Sequence, residues 1–221
     1  MRRLTTTILC TCMLGATTAG VVSAQQPSPG PVGIGGRIEL PAARFALTVP
    51  DDWLWADTSS GDLEGVASLV EATDPVRAPS LSPILTHWPA GQDLPDLYVL
   101  GPMGPDGALE SCTVTARPST GDALESRMAD AAAQMAATPE WSVTDTLQLD
   151  LPAGPAGRLD WVSTFASPMG EVDIPGSGYY LTGDKQDYVI DCFAPVPPDD
   201  RWLSIAETFE SLPVDGATGS P

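Results

Sequence analysis

The chain is short of positive charge and nearly without histidine. Its 221 residues hold ten lysines and arginines against 29 aspartates and glutamates, and a single histidine, for a formal net charge of −19. Nucleic acid and anionic membrane are held by cationic surface, so neither is expected as a partner. The acidity informs solubility more directly than it identifies a partner. One histidine is also too few for a conventional structural zinc site, and no metal or other cofactor is expected. Further absences narrow the chemistry. There is no GxSxG elbow, no CxxC pair, no EF-hand spacing and no internal repeat. The glycines of residues 101–107 (GPMGPDG) lack the Lys-Ser/Thr that completes a phosphate loop. Beyond the first residues, no apolar run is long enough to span a bilayer as a helix.

What is present begins with a basic head (Met1-Arg2-Arg3), an apolar stretch and a small-residue exit at Val22-Ser23-Ala24. This order predicts a Sec-type signal peptide over residues 1–24 and export to the periplasm or extracellular space. Cys10 and Cys12 lie inside the apolar stretch with no lipobox ahead of them, which argues against lipidation. Removal of this segment takes two arginines and no acids, leaving a net charge of −21 on 8 basic and 29 acidic residues. It also leaves two cysteines, Cys112 and Cys192, each on an alternating apolar face, and an oxidising compartment favours joining them.

Residues 25–37 are rich in Pro, Gly and Gln and read as a flexible leader, and residues 214–221 as a disordered tail. Residues 38–213 between them make one domain. Strands are predicted at 44–49, 97–100, 111–117, 142–149, 157–165, 178–182 and 187–193, the last two joined by a hairpin turn at 183–186. Helices are predicted at 62–72, at 122–137 with Asp122 as cap and Glu125 three places on, and after Asp200, where Trp202, Ile205, Phe209 and Leu212 share a face. Residues 73–96 contain five prolines and read as irregular, and residues 56–96 as a whole are a candidate binding element. Strands in antiparallel succession with helices inserted indicate an α+β fold, an antiparallel β-sheet packed with helices in an α/β/α-type sandwich.

The first strand running into VPDDW, the mid-chain helix, the GYYLTGDKQDYVIDCF meander and the terminal RWLSIAETFESL helix together resemble the PsbP-like fold. That family comprises photosystem extrinsic subunits, a nuclear import factor and small bacterial exported proteins. The resemblance spans residues 38–213 and implies a mostly non-enzymatic accessory or binding role, with no catalytic residue to carry over. In such a fold the VPDDW corner ends the first strand, because proline has no N–H, and Trp53 turns back to close the sheet edge.

Two functional readings follow. The first is an exported, non-catalytic binding or accessory protein that engages a protein or envelope component. Trp55, Trp88 and Tyr98 are its contact candidates, as amphipathic aromatics anchor partners at modest entropic cost. The second is a secreted hydrolase using a carboxylate pair, with His87 as an auxiliary base. A concave site holding two converging ionisable groups with perturbed protonation would separate them.

Overall fold

The computed structural model describes residues 31–86, 94–104, 109–167, 170–195 and 200–213. Residues 1–24, expected to be a signal peptide, residues 214–221, His87 and Trp88 lie outside the described residues. The described chain folds around one sheet. Its strands are β1 (Val32–Leu40), β2 (Phe45–Asp57), β3 (Leu97–Met103), β4 (Leu109–Pro118), β5 (Trp141–Leu151), β6 (Gly154–Ser167), β7 (Gly170–Thr182), β8 (Gln186–Phe193) and the two-residue β9 (Glu210–Ser211). They lie in the order β1-β2-β3-β4-β8-β7-β6-β5, with every pairing antiparallel and β9 added to β2. Four helices complete the fold: α1 (Leu63–Thr73), α2 (Ala78–Thr86), α3 (Leu124–Ala136) and α4 (Arg201–Glu207). The architecture is α+β and antiparallel, with the sheet dominant.

Side chains alternate across a strand, so one β2 serves two cores. Phe45, Leu47, Val49, Trp53 and Trp55 join Leu97, Val99, Val114, Tyr188 and Ile190, together with Trp202 and Ile205 of α4. The intervening Leu54 and Ala56, with Tyr98 and Leu100, pack instead against Val66 and Val70 of α1 and Leu81 and Leu85 of α2. A third cluster sets Met128 of α3 on Leu159, Trp161 and Tyr180. Met128 reaches the sheet where Gly157 has no side chain: a Cβ there would stand 1.9 Å from the methionine sulfur. Ala131 and Ala132 of the same helix pack against this cluster.

Cys112 and Cys192 face each other directly across β4 and β8, are fully buried and form a disulfide. The bond closes a loop of 80 residues between two central strands.

The structure corrects several expectations. Residues 32–37, read as part of the leader, belong to β1. Gly35 and Gly36 take positive φ and disguise the strand, since they form the bulge at which β1 changes register against β2. Pro50 does not end the first strand. The register passes from Gly36↔Val49 to Ile34↔Leu54, so residues 50–53 are absorbed as a bulge, where a missing N–H is harmless. Trp53, at the end of that bulge, is buried at 1% exposure in the core; because β2 lies between β1 and β3, it fills the core rather than closing a sheet edge.

The proline-rich excursion contains a helix, α2, and a buried arginine ahead of it. Arg77 is 7% exposed, and its guanidinium binds the Asp74 carboxylate at 2.7–2.8 Å. Its Nη1 also donates to the carbonyls of Asp52 (2.7 Å), Leu100 (3.1 Å) and Gly101 (3.3 Å). The cation thus caps backbone oxygens at two irregularities of the sheet, Asp52 in the β2 bulge and Leu100 and Gly101 where β3 changes register against β4. Burial, the largest influence on Asp74, pushes its carboxyl up. The backbone N–H and guanidinium of Arg77 outweigh that and hold it below the ordinary value.

At α3 the expected capping box does not form. The cap position falls on Ala123 with no side-chain bond, and Glu125 instead accepts from Gln148 Nε2 at 3.0 Å, tying the helix to β5. The Asp62 cap of α1, by contrast, accepts from the Gly65 N–H at 3.0 Å.

Candidate functional site: a cleft between helix and sheet

Between α3 and the strands β4, β7 and β8 lies a cleft of about 620 Å³. Alternation along β8 explains its floor. Tyr188, Ile190 and Cys192 point into the α4-side core, so Val189 and Asp191 point the other way, toward α3. Asp191 sits between Thr113 of β4 and Gly178 of β7. Gly178 leaves the room it occupies, because a Cβ there would stand 2.7 Å from Asp191 Oδ1 and 3.2 Å from the Tyr180 ring. Asp191 Oδ1 is sealed from solvent and accepts no hydrogen bond, and the residue lines the cleft. Burial pushes the carboxyl up to about 6, against a partial opposing pull from Arg117.

The walls are mixed. Tyr180 is buried, and desolvation first, then the charge of Asp191, raises its hydroxyl well above the ordinary value. Trp141 lies 4.6 Å from Trp161, centroid to centroid, and closes one side together with Met135. Arg127 projects from α3: Nη2 donates to Thr182 Oγ1 at 2.6 Å and Nη1 meets Asp187 Oδ1 at 3.1 Å, while its Nε is buried without a hydrogen-bond partner. Asp122 and Asp130 are exposed at the rim.

A smaller hollow of about 310 Å³ lies against α4. There Ser177 Oγ donates to Asp160 Oδ1 at 2.6 Å and Arg158 Nη2 donates to Asp160 Oδ2 at 2.7 Å. Tyr179 alongside is pushed up to about 12, chiefly by burial. Here the serine donates to an acid already held by an arginine, and a carboxylate is far too weak a base to activate it. A nucleophile needs a base near its own working range.

The contact candidates do not assemble. Trp55 and Tyr98 are each 5% exposed and belong to different cores, on alternate faces of adjacent strands. The Trp55 indole N–H is spent on the Gly35 carbonyl at 3.2 Å. Neither ring is presented to a partner, and Trp88 is outside the described residues. The residues the structure brings together instead are Asp191, Arg117, Arg127, Tyr180 and Trp141. Among the described residues, no group of three or more His, Cys, Asp or Glu side chains is arranged to hold a metal, and no helix is long and apolar enough to cross a membrane.

No family model matches the chain, and no curated protein matches it. Solved structures do. Cyanobacterial PsbP from Synechocystis sp. PCC 6803 is similar over 83% of this chain and 97% of its own, at 11% identity and a TM-score of 0.49. LpqN of Mycobacterium tuberculosis, involved in cell envelope biogenesis, is similar over 81% of this chain and 86% of its own, at 13% identity and a TM-score of 0.41. The Saccharomyces cerevisiae Ran-binding protein Mog1p is similar over 82% and 96%, at 12% identity and a TM-score of 0.44. The chain is similar in structure to PsbP-like proteins. At these identities the likeness concerns the fold and assigns no activity.

Proposed function

We propose that the protein is an exported, non-catalytic binding or accessory protein of the cell envelope or extracellular space, and that the cleft beneath α3 is its binding site. One observation carries the reading: the groups of perturbed protonation in the cleft are Asp191 and Tyr180, and the Tyr180 hydroxyl is raised away from the working range of an acid–base partner for the carboxylate. Asp187 is the other acid of the same strand face. Four residues apart at ~3.3 Å per residue, the two backbones stand roughly 13 Å from each other. A glycosidase needs its carboxyl groups within about 5–9.5 Å. Asp187 is moreover tied to Arg127. The buried disulfide suits an oxidising compartment and so supports export.

The test compares wild type with Ala131→Trp, which fills the cleft from α3, and with His87→Ala. Recovery of a partner from native envelope extract should fall with Ala131→Trp and persist with His87→Ala. Glycoside and ester substrates should not be turned over by any of the three. Turnover that disappears in Asp191→Asn or His87→Ala would replace this reading with the hydrolase.

A further inference from the structure

Resting on the reading of the cleft as the binding site, we propose that it takes a small organic cation, a primary amine on an apolar body, anchored on the Asp191 carboxylate. The charge arrangement points that way. Four aspartates line the cleft (Asp122, Asp130, Asp187 and Asp191) against two arginines. Arg127 is committed to Asp187 and Thr182. Arg117 stands across from Asp187 in the β4–β8 register, and its pull on Asp191 is weaker than the effect of burial. The floor therefore keeps a deficit of positive charge.

The shape and surroundings suit the same ligand. Met135 and Val189 offer apolar wall, and Trp141 and Tyr180 offer aromatic faces that attract a cation. The volume lies within the range of small-molecule sites. An anion would meet the net negative lining and the field of a strongly acidic chain, which instead concentrates cations. A neutral alcohol could hydrogen-bond Asp191 but would leave its charge uncompensated.

The probes are hexylamine, hexanol and hexanoate, each titrated into the full chain and followed by backbone amide shifts. Hexylamine should move amides of β8 and α3 around Asp191. Its affinity should fall roughly tenfold or more in Asp191→Asn, and binding should vanish in Ala131→Trp. Hexanol or hexanoate binding as tightly as hexylamine, and blocked by Ala131→Trp, would overturn the cation while sparing the cleft as a site. Hexylamine keeping its affinity in a folded Asp191→Asn would likewise overturn the anchor. Shifts confined to other surfaces, or no shift with any probe, would overturn both the ligand class and the site.

Discussion

Replacing Asp191 with asparagine should stabilise the protein at neutral pH. The carboxyl rises from the ordinary 3.8 to about 6 on folding because burial disfavours its charged form. A raised acid means the folded state holds the proton more tightly than the unfolded chain does. Stability from this group is therefore fully present below pH ~4 and is lost as pH climbs through about 6. At about 1.4 kcal/mol per pH unit, the loss comes to roughly 3 kcal/mol above pH 6. Asparagine has no charge to bury, but it gives up the attraction of Arg117 and brings an amide that needs a partner. The net gain should be roughly 1–3 kcal/mol at pH 7 and near zero at pH 4. Urea unfolding of both proteins at pH 4, 5, 6, 7 and 8 would show it, since other titrations cancel in the difference. Groups facing Asp191 from each neighbouring element, namely Arg117 on β4, Tyr180 on β7, Asp187 on β8 and Arg127 and Asp130 on α3, are unchanged between the two proteins. A variant less stable than wild type by the same amount at every pH would refute the reasoning, because it would mean the carboxylate is satisfied in the fold.

Three other perturbations probe the scaffold. Arg77→Ala should cost roughly 2–4 kcal/mol in denaturant unfolding, because it strands Asp74 and the bulge carbonyls together; a loss below about 0.5 kcal/mol would show that water replaces the guanidinium. Gly157→Ala should cost about 1–3 kcal/mol by lifting Met128 and α3 off β6, and Met128→Ala in the same chain should return part of that loss in a double-mutant cycle. Breaking the Cys112–Cys192 bond by Cys→Ser replacement at both positions should cost about 4 kcal/mol, from a closed loop of 80 residues, and thermal unfolding with and without reductant would test it.

The sequence conveyed the fold better than the site. Period-two patterns placed β3, β4, β5, β6 and β8, and the stripe from Leu124 to Met135 placed α3, because each is a local signal that packing then reinforces. β1 escaped because the glycines that serve its bulge look like linker. α2 escaped because Pro79 and Pro83 look like breakers, although the first sits in the opening turn, where no intrahelical N–H is needed. The N-terminal part of β7 was masked in the same way by Gly170, Pro175 and Gly176, which pair with β6 along its full length.

The site was less legible for a different reason. Asp191 lies on the polar parity of YVIDCF, where the pattern predicts solvent. It is only partly exposed because α3, 55 or more residues earlier in the chain, covers that face. Long-range cover of this kind leaves no mark on the strand itself. The burial of Trp55 and Tyr98 has the converse origin: they occupy strand positions where large rings fill cores, and both faces of the sheet are covered there.

Titration of the Asp191 side-chain carbon by ¹³C NMR, in the free protein and with hexylamine present, tests the central claim most directly. The account predicts a midpoint near pH 6 in the free protein, and a lower one with the amine bound, since a ligand cation favours the charged carboxylate. A midpoint near the ordinary 3.8, unmoved by hexylamine, would contradict it.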